Sequence, residues 1–190
     1  MTLSDVLVSR RGLLRDVILV IVGSMLVALS AQIRIDLPFT PVPITGQTFG
    51  VLLVGAVLGT YRGVLSLALY LVEGAMGLPV FAGGAAGAHY LVGPTGGYLV
   101  GFVVAAGITG WLAEREWDRR VWMAALAMLV GNLVIYVFGL PWLARFVGPQ
   151  AAVVKGLLPF IPGDILKLLL AASALPSAWK LVEKGDVTSL

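Results

Sequence analysis

The chain has 190 residues, of which 59% are hydrophobic and 12% charged, whereas a soluble domain carries about a quarter of its residues charged. That balance marks an integral membrane protein. Cysteine is absent and histidine occurs once, which excludes disulfide frameworks, thiol catalysis and zinc sites built from thiolates or several imidazoles. The basic residues behind the net charge of +3 are scattered at the ends of apolar runs rather than gathered in a patch, so no nucleic-acid partner is expected.

Residues 1–14 read as a short cytoplasmic lead, and no small-residue cleavage site ends the apolar run after it. The first membrane span covers about 16–32, long enough for a bilayer core. On it Ser24 and Ala28 form a small-xxx-small pair beside Gly23 and Ala31, which lets a second helix approach closely. That helix belongs either to this chain or to a partner subunit. Residues 33–48 contain Pro38, Pro41 and Pro43, each fixing φ and restricting its predecessor, and so predict an extended strap over one membrane face.

Two shorter spans, about 48–59 and 63–77, are split by Gly59-Thr60-Tyr61-Arg62-Gly63, which has turn chemistry. One continuous helix would instead carry Arg62 to the bilayer centre, where charge is costly. The stretch from Gly77 to Gly101 is rich in glycine, nearly free of charge, and contains Phe81, Tyr90 and Leu91. Irregular backbone of that kind is tolerated at membrane depth only where protein buries it or it lines a cavity. It reads as a loop that organises a binding site. The fourth span covers about 97–112, the mixed-charge octapeptide Ala113–Arg120 lies in water, and the fifth span runs 121–140 and ends at Pro141. A second loop over 141–161 leads to a sixth span at about 163–178.

This predicts an all-α membrane protein with one six-helix domain over residues 1–190. Arg10, Arg11, Arg15, Arg62, Arg115, Arg119, Arg120, Lys180 and Lys184 fall on one face; Arg34, Arg145, Lys155 and Lys167 fall on the other. The positive-inside rule then puts both termini in the cytoplasm. The strap, the glycine-rich loop and the last connection consequently converge on the outer face, around a loop-capped pocket open to the outside.

Asp164 and Lys167 begin an apolar helix where charge is expensive. Their i, i+3 spacing puts them on one face, able to pair or to hold one polar ligand together; Asp164 alone would also serve as an N-cap. Gln47 opens the second span and can donate and accept at once. Gly83 and Gly84 offer close approach of backbone to a ligand, Thr95 and Tyr98 offer hydroxyls, and Phe81, Tyr90 and Trp142 offer apolar shelter. Asn132 stands inside the fifth span, either lining the cavity or bonding a neighbouring helix. No phosphate-binding loop, nucleophile elbow or zincin motif is present, so neither a nucleotide site nor catalysis is expected, and no cofactor or metal. An enzyme acting on a lipid-like substrate within the membrane would need an acid, base or nucleophile set that these residues do not compose.

The segments PVPITGQTFGVLLVGAVLG, GLPVFAGG, GPTGGYLVGF and LPFIPGDILK, in this order and spacing, resemble the BioY family, the biotin-specific capture components (S-components) of energy-coupling-factor (ECF) transporters in the plasma membrane. The resemblance runs from about residue 16 to 175. It implies high-affinity biotin binding near the outer face, with Asp164 and Lys167 as the polar grip and residues 83–97 as the lid. It also implies partners: a transmembrane coupling subunit and two cytoplasmic ATPases, or a homo-oligomer if the chain works alone. Ser24 and Ala28 resemble the surface these components offer to the coupling subunit. Members of the family can carry an arginine between the lid glycines; here Ala85 and Ala86 come after Gly83-Gly84, leaving His89 and Lys155 to meet a ligand carboxylate. Capture of another small vitamin is the alternative on the same scaffold.

Overall fold

The computed structural model describes residues 2–8 and 12–187, with side chains to residue 182. Arg10, Arg11 and Lys184 lie outside the described side chains. In chain order the helices are α1 (Leu3–Leu7), α2 (Leu13–Gln32), α3 (Gln47–Leu58), α4 (Thr60–Ala75), α5 (Ala88–Val92), α6 (Gly96–Ala113), α7 (Val121–Val147), α8 (Pro149–Gly156) and α9 (Ile161–Val187). Two short strands, β1 (Arg34–Ile35) and β2 (Ile44–Thr45), pair antiparallel between α2 and α3.

Helices α2, α6 and α7 and the helical stretch Pro149–Val182 are each long and apolar enough to cross a membrane. Helix α3, with 12 residues, spans only about 18 Å at 1.5 Å per residue, so its first turn begins inside the protein rather than at an interface. Gly59 separates α3 from α4 with a φ of +84°, a left-handed conformation that glycine adopts without penalty. The split expected at this point is therefore present.

Helix α6 forms the axis of the bundle, packed against α3, α4 and α7. Its small residues make that possible. A Cβ at Gly110 would stand 2.5 Å from the backbone of Gly59 and Thr60, and one at Gly101 would stand 3.1 Å from the Cα of Ile135. Close backbone approach of this kind is how helices pack in lipid, where apolar side chains gain nothing from leaving their surroundings. The outward face of α2 presents Val17, Ile18, Ile21, Val22, Met25 and Leu29, all exposed, as a helix bordering hydrocarbon requires.

Four expectations are corrected. Pro141 does not end the fifth span, because α7 continues to Val147. An internal proline loses a hydrogen bond and clashes with the preceding turn, at a cost of about 3 kcal/mol. The next two residues offset it: the Trp142 indole donates to the Gly93 carbonyl at 2.8 Å, and Leu143 is fully buried. The expected loop over 141–161 is thus mostly helix, completed by α8. The proline-rich strap is a hairpin whose prolines all fall in the connection between β1 and β2, where no ladder donor is needed; the Thr40 hydroxyl in that connection donates to the Lys155 carbonyl at 2.8 Å. The fourth correction concerns Ser24. It is fully buried and hydrogen-bonded to Glu73 of α4, while Gly23 lies against Ser66 and Ala28 is half-buried. Gly23 and Ser24 therefore serve packing within the chain, against α4.

The two charge sets separate along the helices. Arg15 and Arg62 meet Asp5, and Arg62 also meets Asp16; Arg34 and Lys155 stand at the opposite end beside the hairpin.

Candidate binding site

A narrow cavity opens between the hairpin, the glycine-rich loop and helices α3, α6, α7 and α9. Small-molecule pockets combine apolar walls with a few aimed polar groups. Leu99, Phe102, Ile135 and Phe160 supply the walls here, and Gln47, Thr48, Thr95, Tyr98, Tyr136 and Lys167 the polar groups. A smaller chamber adjoins it through Thr48 and Lys167, and Asn132 and Asp164 line that chamber.

At the deep end, α9 begins at Ile161 and carries Asp164 and Lys167 one turn apart, so both point the same way. Lys167 Nζ stands 3.5 Å from Asp164 Oδ1 and donates to Thr48 Oγ1 at 2.8 Å. Tyr136 of α7 donates its hydroxyl proton to Asp164 Oδ2. Asp164 therefore caps no helix; its carboxylate is held by a phenol from the neighbouring helix. Two buried acceptors remain without a hydrogen-bond partner, Asp164 Oδ1 and Asn132 Oδ1. The Lys167 ammonium partly compensates the first of these through charge, whereas Asn132 Oδ1 has no partner; both residues border the smaller chamber.

At the side, Thr45 Oγ1 accepts from the Gln47 amide N–H at 3.3 Å and donates to Gln47 Oε1 at 3.1 Å. Gln47 Nε2 donates to the Tyr70 hydroxyl at 2.6 Å, and that hydroxyl donates to the Val80 carbonyl at 3.1 Å. One chain of hydrogen bonds thus links hairpin, α3, α4 and the glycine-rich loop.

The loop itself folds over the mouth. A 3-10 turn at Ala82–Gly84 and helix α5 replace the wholly irregular backbone expected there. Gly83, Gly84 and Gly87 have φ of +69°, +76° and +97°, which explains why the turn is built from glycine. Tyr90 lines the cavity and stacks on Phe81, with ring centroids 5.0 Å apart. Phe81 itself is fully buried behind Tyr90, set into the space that Gly74 leaves free. Gly83 and Gly84 lie on the outside of the turn, and Ala82 is the residue that faces the cavity.

Of the residues expected from sequence, Gln47, Tyr90, Thr95, Tyr98 and Lys167 line the main cavity, and Asp164 and Asn132 the adjoining chamber. Phe81, Gly83 and Gly84 support the lid from behind. His89 is exposed, and neither it nor Lys155 is among the cavity-lining residues. Sequence reasoning misses Tyr136, Thr48 and Thr45, all of which line the main cavity. Tyr136 is within reach of periodicity, since it lies four residues after Asn132 and hence on the same face of α7.

The profile of the BioY family matches residues 2–184. A probable biotin transporter BioY from Pyrococcus horikoshii is 43% identical over 167 residues, covering 88% of this chain and 96% of the relative. The chain belongs to the BioY family. A biotin transporter BioY from Rhizobium etli is 39% identical, over 83% of this chain and 89% of that one. Another BioY, from Thermotoga maritima, is 44% identical over 139 residues, 73% of this chain and 81% of the relative. The crystal structure of the S-component for biotin from an ECF-type ABC transporter superposes with a TM-score of 0.79 at 25% identity, over 88% of this chain and 92% of that one.

Proposed function

We propose that this chain captures biotin at the outer face of the plasma membrane, as the substrate-specific component of an ECF-type transporter. The observation that carries the reading is the apolar cavity closed at its deep end by Lys167 and the Tyr136-held Asp164. Biotin offers complementary groups: two ureido N–H donors, a carbonyl acceptor, an apolar thioether ring and a carboxylate. The Asp164 oxygen that makes no hydrogen bond accepts from a ureido N–H, Lys167 donates to the ureido carbonyl, and the ring lies against Leu99, Phe102 and Tyr98. Gln47, Thr95, Tyr90 and Asn132 complete the contacts, and Phe81, Gly83 and Gly84 shape the lid that closes over the ligand.

The single domain of residues 1–190 crosses the membrane six times, through α2, α3, α4, α6, α7 and α9, with both termini in the cytoplasm. The separation of Arg15 and Arg62 from Arg34 and Lys155 supports that orientation. Binding is outward, and release inward is driven by a transmembrane coupling subunit and two cytoplasmic ATPases, since the chain carries no nucleotide-binding motif of its own. Transport, not turnover, is the activity of the family.

Titration of the detergent-purified protein with biotin, with thiamine and riboflavin as comparators, tests the reading. Micromolar or tighter binding of biotin alone is expected, with Asp164→Asn and Lys167→Ala each weakening it by about tenfold or more, the worth of a hydrogen bond to a charged group. Binding of a comparator instead of biotin would move the specificity to another vitamin.

A further inference from the structure

A pocket that holds an anionic ligand needs a cation where the anionic group ends, and Lys167 is already engaged at the deep end with Asp164 and Thr48. Beside the mouth, just behind the lining residues, Arg34 joins the hairpin to the lid turn. Its strand partner across the hairpin is Thr45, a cavity-lining residue, and directly opposed residues of an antiparallel pair project on the same face. From that face the Arg34 guanidinium reaches the lid: Nη1 donates to the carbonyl of Ala82, itself a lining residue, at 2.9 Å. Gly83 leaves room for it, since a Cβ there would stand 2.5 Å from Nη1.

The remaining donors of that guanidinium already show how it receives a carboxylate. Nε and Nη2 both approach a single carboxylate oxygen, Asp36 Oδ1, at 2.6 Å. Asp36 is two-thirds exposed, so the pair is weak and exchangeable. A ligand carboxylate emerging past Ala82 and Tyr90 replaces it in a less solvated setting. Among the other basic candidates, Arg145 lies over the Trp142 ring at 5.1 Å and His89 is exposed, whereas Arg34, not itself a lining residue, bonds Ala82, which is one.

We propose that Arg34, at the junction of hairpin and lid, receives the carboxylate of the captured ligand and makes the site selective for the acid over its neutral derivatives. This rests on the biotin reading above. The test titrates wild type, Arg34→Gln and Arg34→Lys with biotin and with biotinamide, the neutral carboxamide. Wild type should prefer biotin. Arg34→Gln should weaken biotin by about tenfold while leaving biotinamide within about twofold, so biotinamide binding doubles as the check that the variant is folded, and Arg34→Lys should recover part of the loss. Equal weakening of both compounds would make Arg34 a lid fastener only and overturn the proposal; no weakening of either would overturn it as well. If wild type binds neither compound, the capture reading falls and the role of Arg34 with it, an outcome distinct from both.

Discussion

Two clusters of ionisable side chains stand at opposite ends of the helices, and although Arg15 Nε in the first has no partner, their carboxylates are satisfied to different degrees. At the α1 end, Asp5 takes Arg62 at 2.8 Å and Arg15 at 3.1 Å, Asp16 takes Arg62 at 2.8 Å, and Thr2 donates to Asp5 through both its amide and its hydroxyl. At the cavity end, Asp164 and Lys167 pair loosely at 3.5 Å, and the buried oxygens Asp164 Oδ1 and Asn132 Oδ1 have no hydrogen-bond partner. A cluster whose carboxylates each meet a guanidinium holds α1, α2 and α4 together. One that leaves acceptors without hydrogen bonds beside a cavity suits the proposed ligand, which brings donors.

The contrast can be broken from either side. Arg62→Ala removes the shared partner of two carboxylates. Loss of one partner from a fully buried pair costs about 3–5 kcal/mol; with Arg62 17% exposed the expected loss is roughly 2 kcal/mol, read by thermal denaturation, with biotin affinity unchanged. Tyr136→Phe does the reverse. It frees the second Asp164 oxygen and should weaken biotin by about tenfold, on the order of one hydrogen bond to a charged group, at little cost in stability. Tyr70→Phe cuts the link from Gln47 to the Val80 carbonyl, and about 1 kcal/mol of stability is expected to go with it, together with faster biotin dissociation as the lid loosens.

The smallest effect is a pH dependence. Burial works against the Asp5 carboxylate, but hydrogen bonds from Arg62 and Thr2 outweigh it and hold the group below its ordinary value of 3.8. A carboxylate with a depressed folded-state pKa stabilises fully above its unfolded value and loses that contribution as pH falls below it. Thermal stability should therefore be insensitive to Asp5 above about pH 5 and decline below about pH 4, with the decline reduced in Asp5→Asn.

The helices, their approximate ends and the break at Gly59 are legible in the sequence because apolar run length and glycine chemistry are local properties. So is the Asp164–Lys167 pair, which i, i+3 spacing alone predicts. Tertiary packing decides the rest. Pro141 is a local stop signal overridden by the burial of Leu143 and the Trp142 bond to the lid. Ser24 and Ala28 form a motif that says only that something packs closely, and the partner is α4. Aromatics among glycines suggest shelter for a ligand, whereas the Phe81 ring fills the space beside Gly74 and presents Tyr90 instead. Arg34 carries no sequence signal at all: its role arises from a two-residue strand register and a lid turn 48 residues further along.

The most direct test of the division between the two clusters is a biotin titration and a melting curve on Lys167→Ala and Arg62→Ala, each against wild type. The account predicts opposite losses: Lys167→Ala binds biotin at least about tenfold more weakly with near-normal melting, and Arg62→Ala melts early but, while folded, binds as wild type does. A Lys167→Ala protein that binds biotin with undiminished affinity would contradict it.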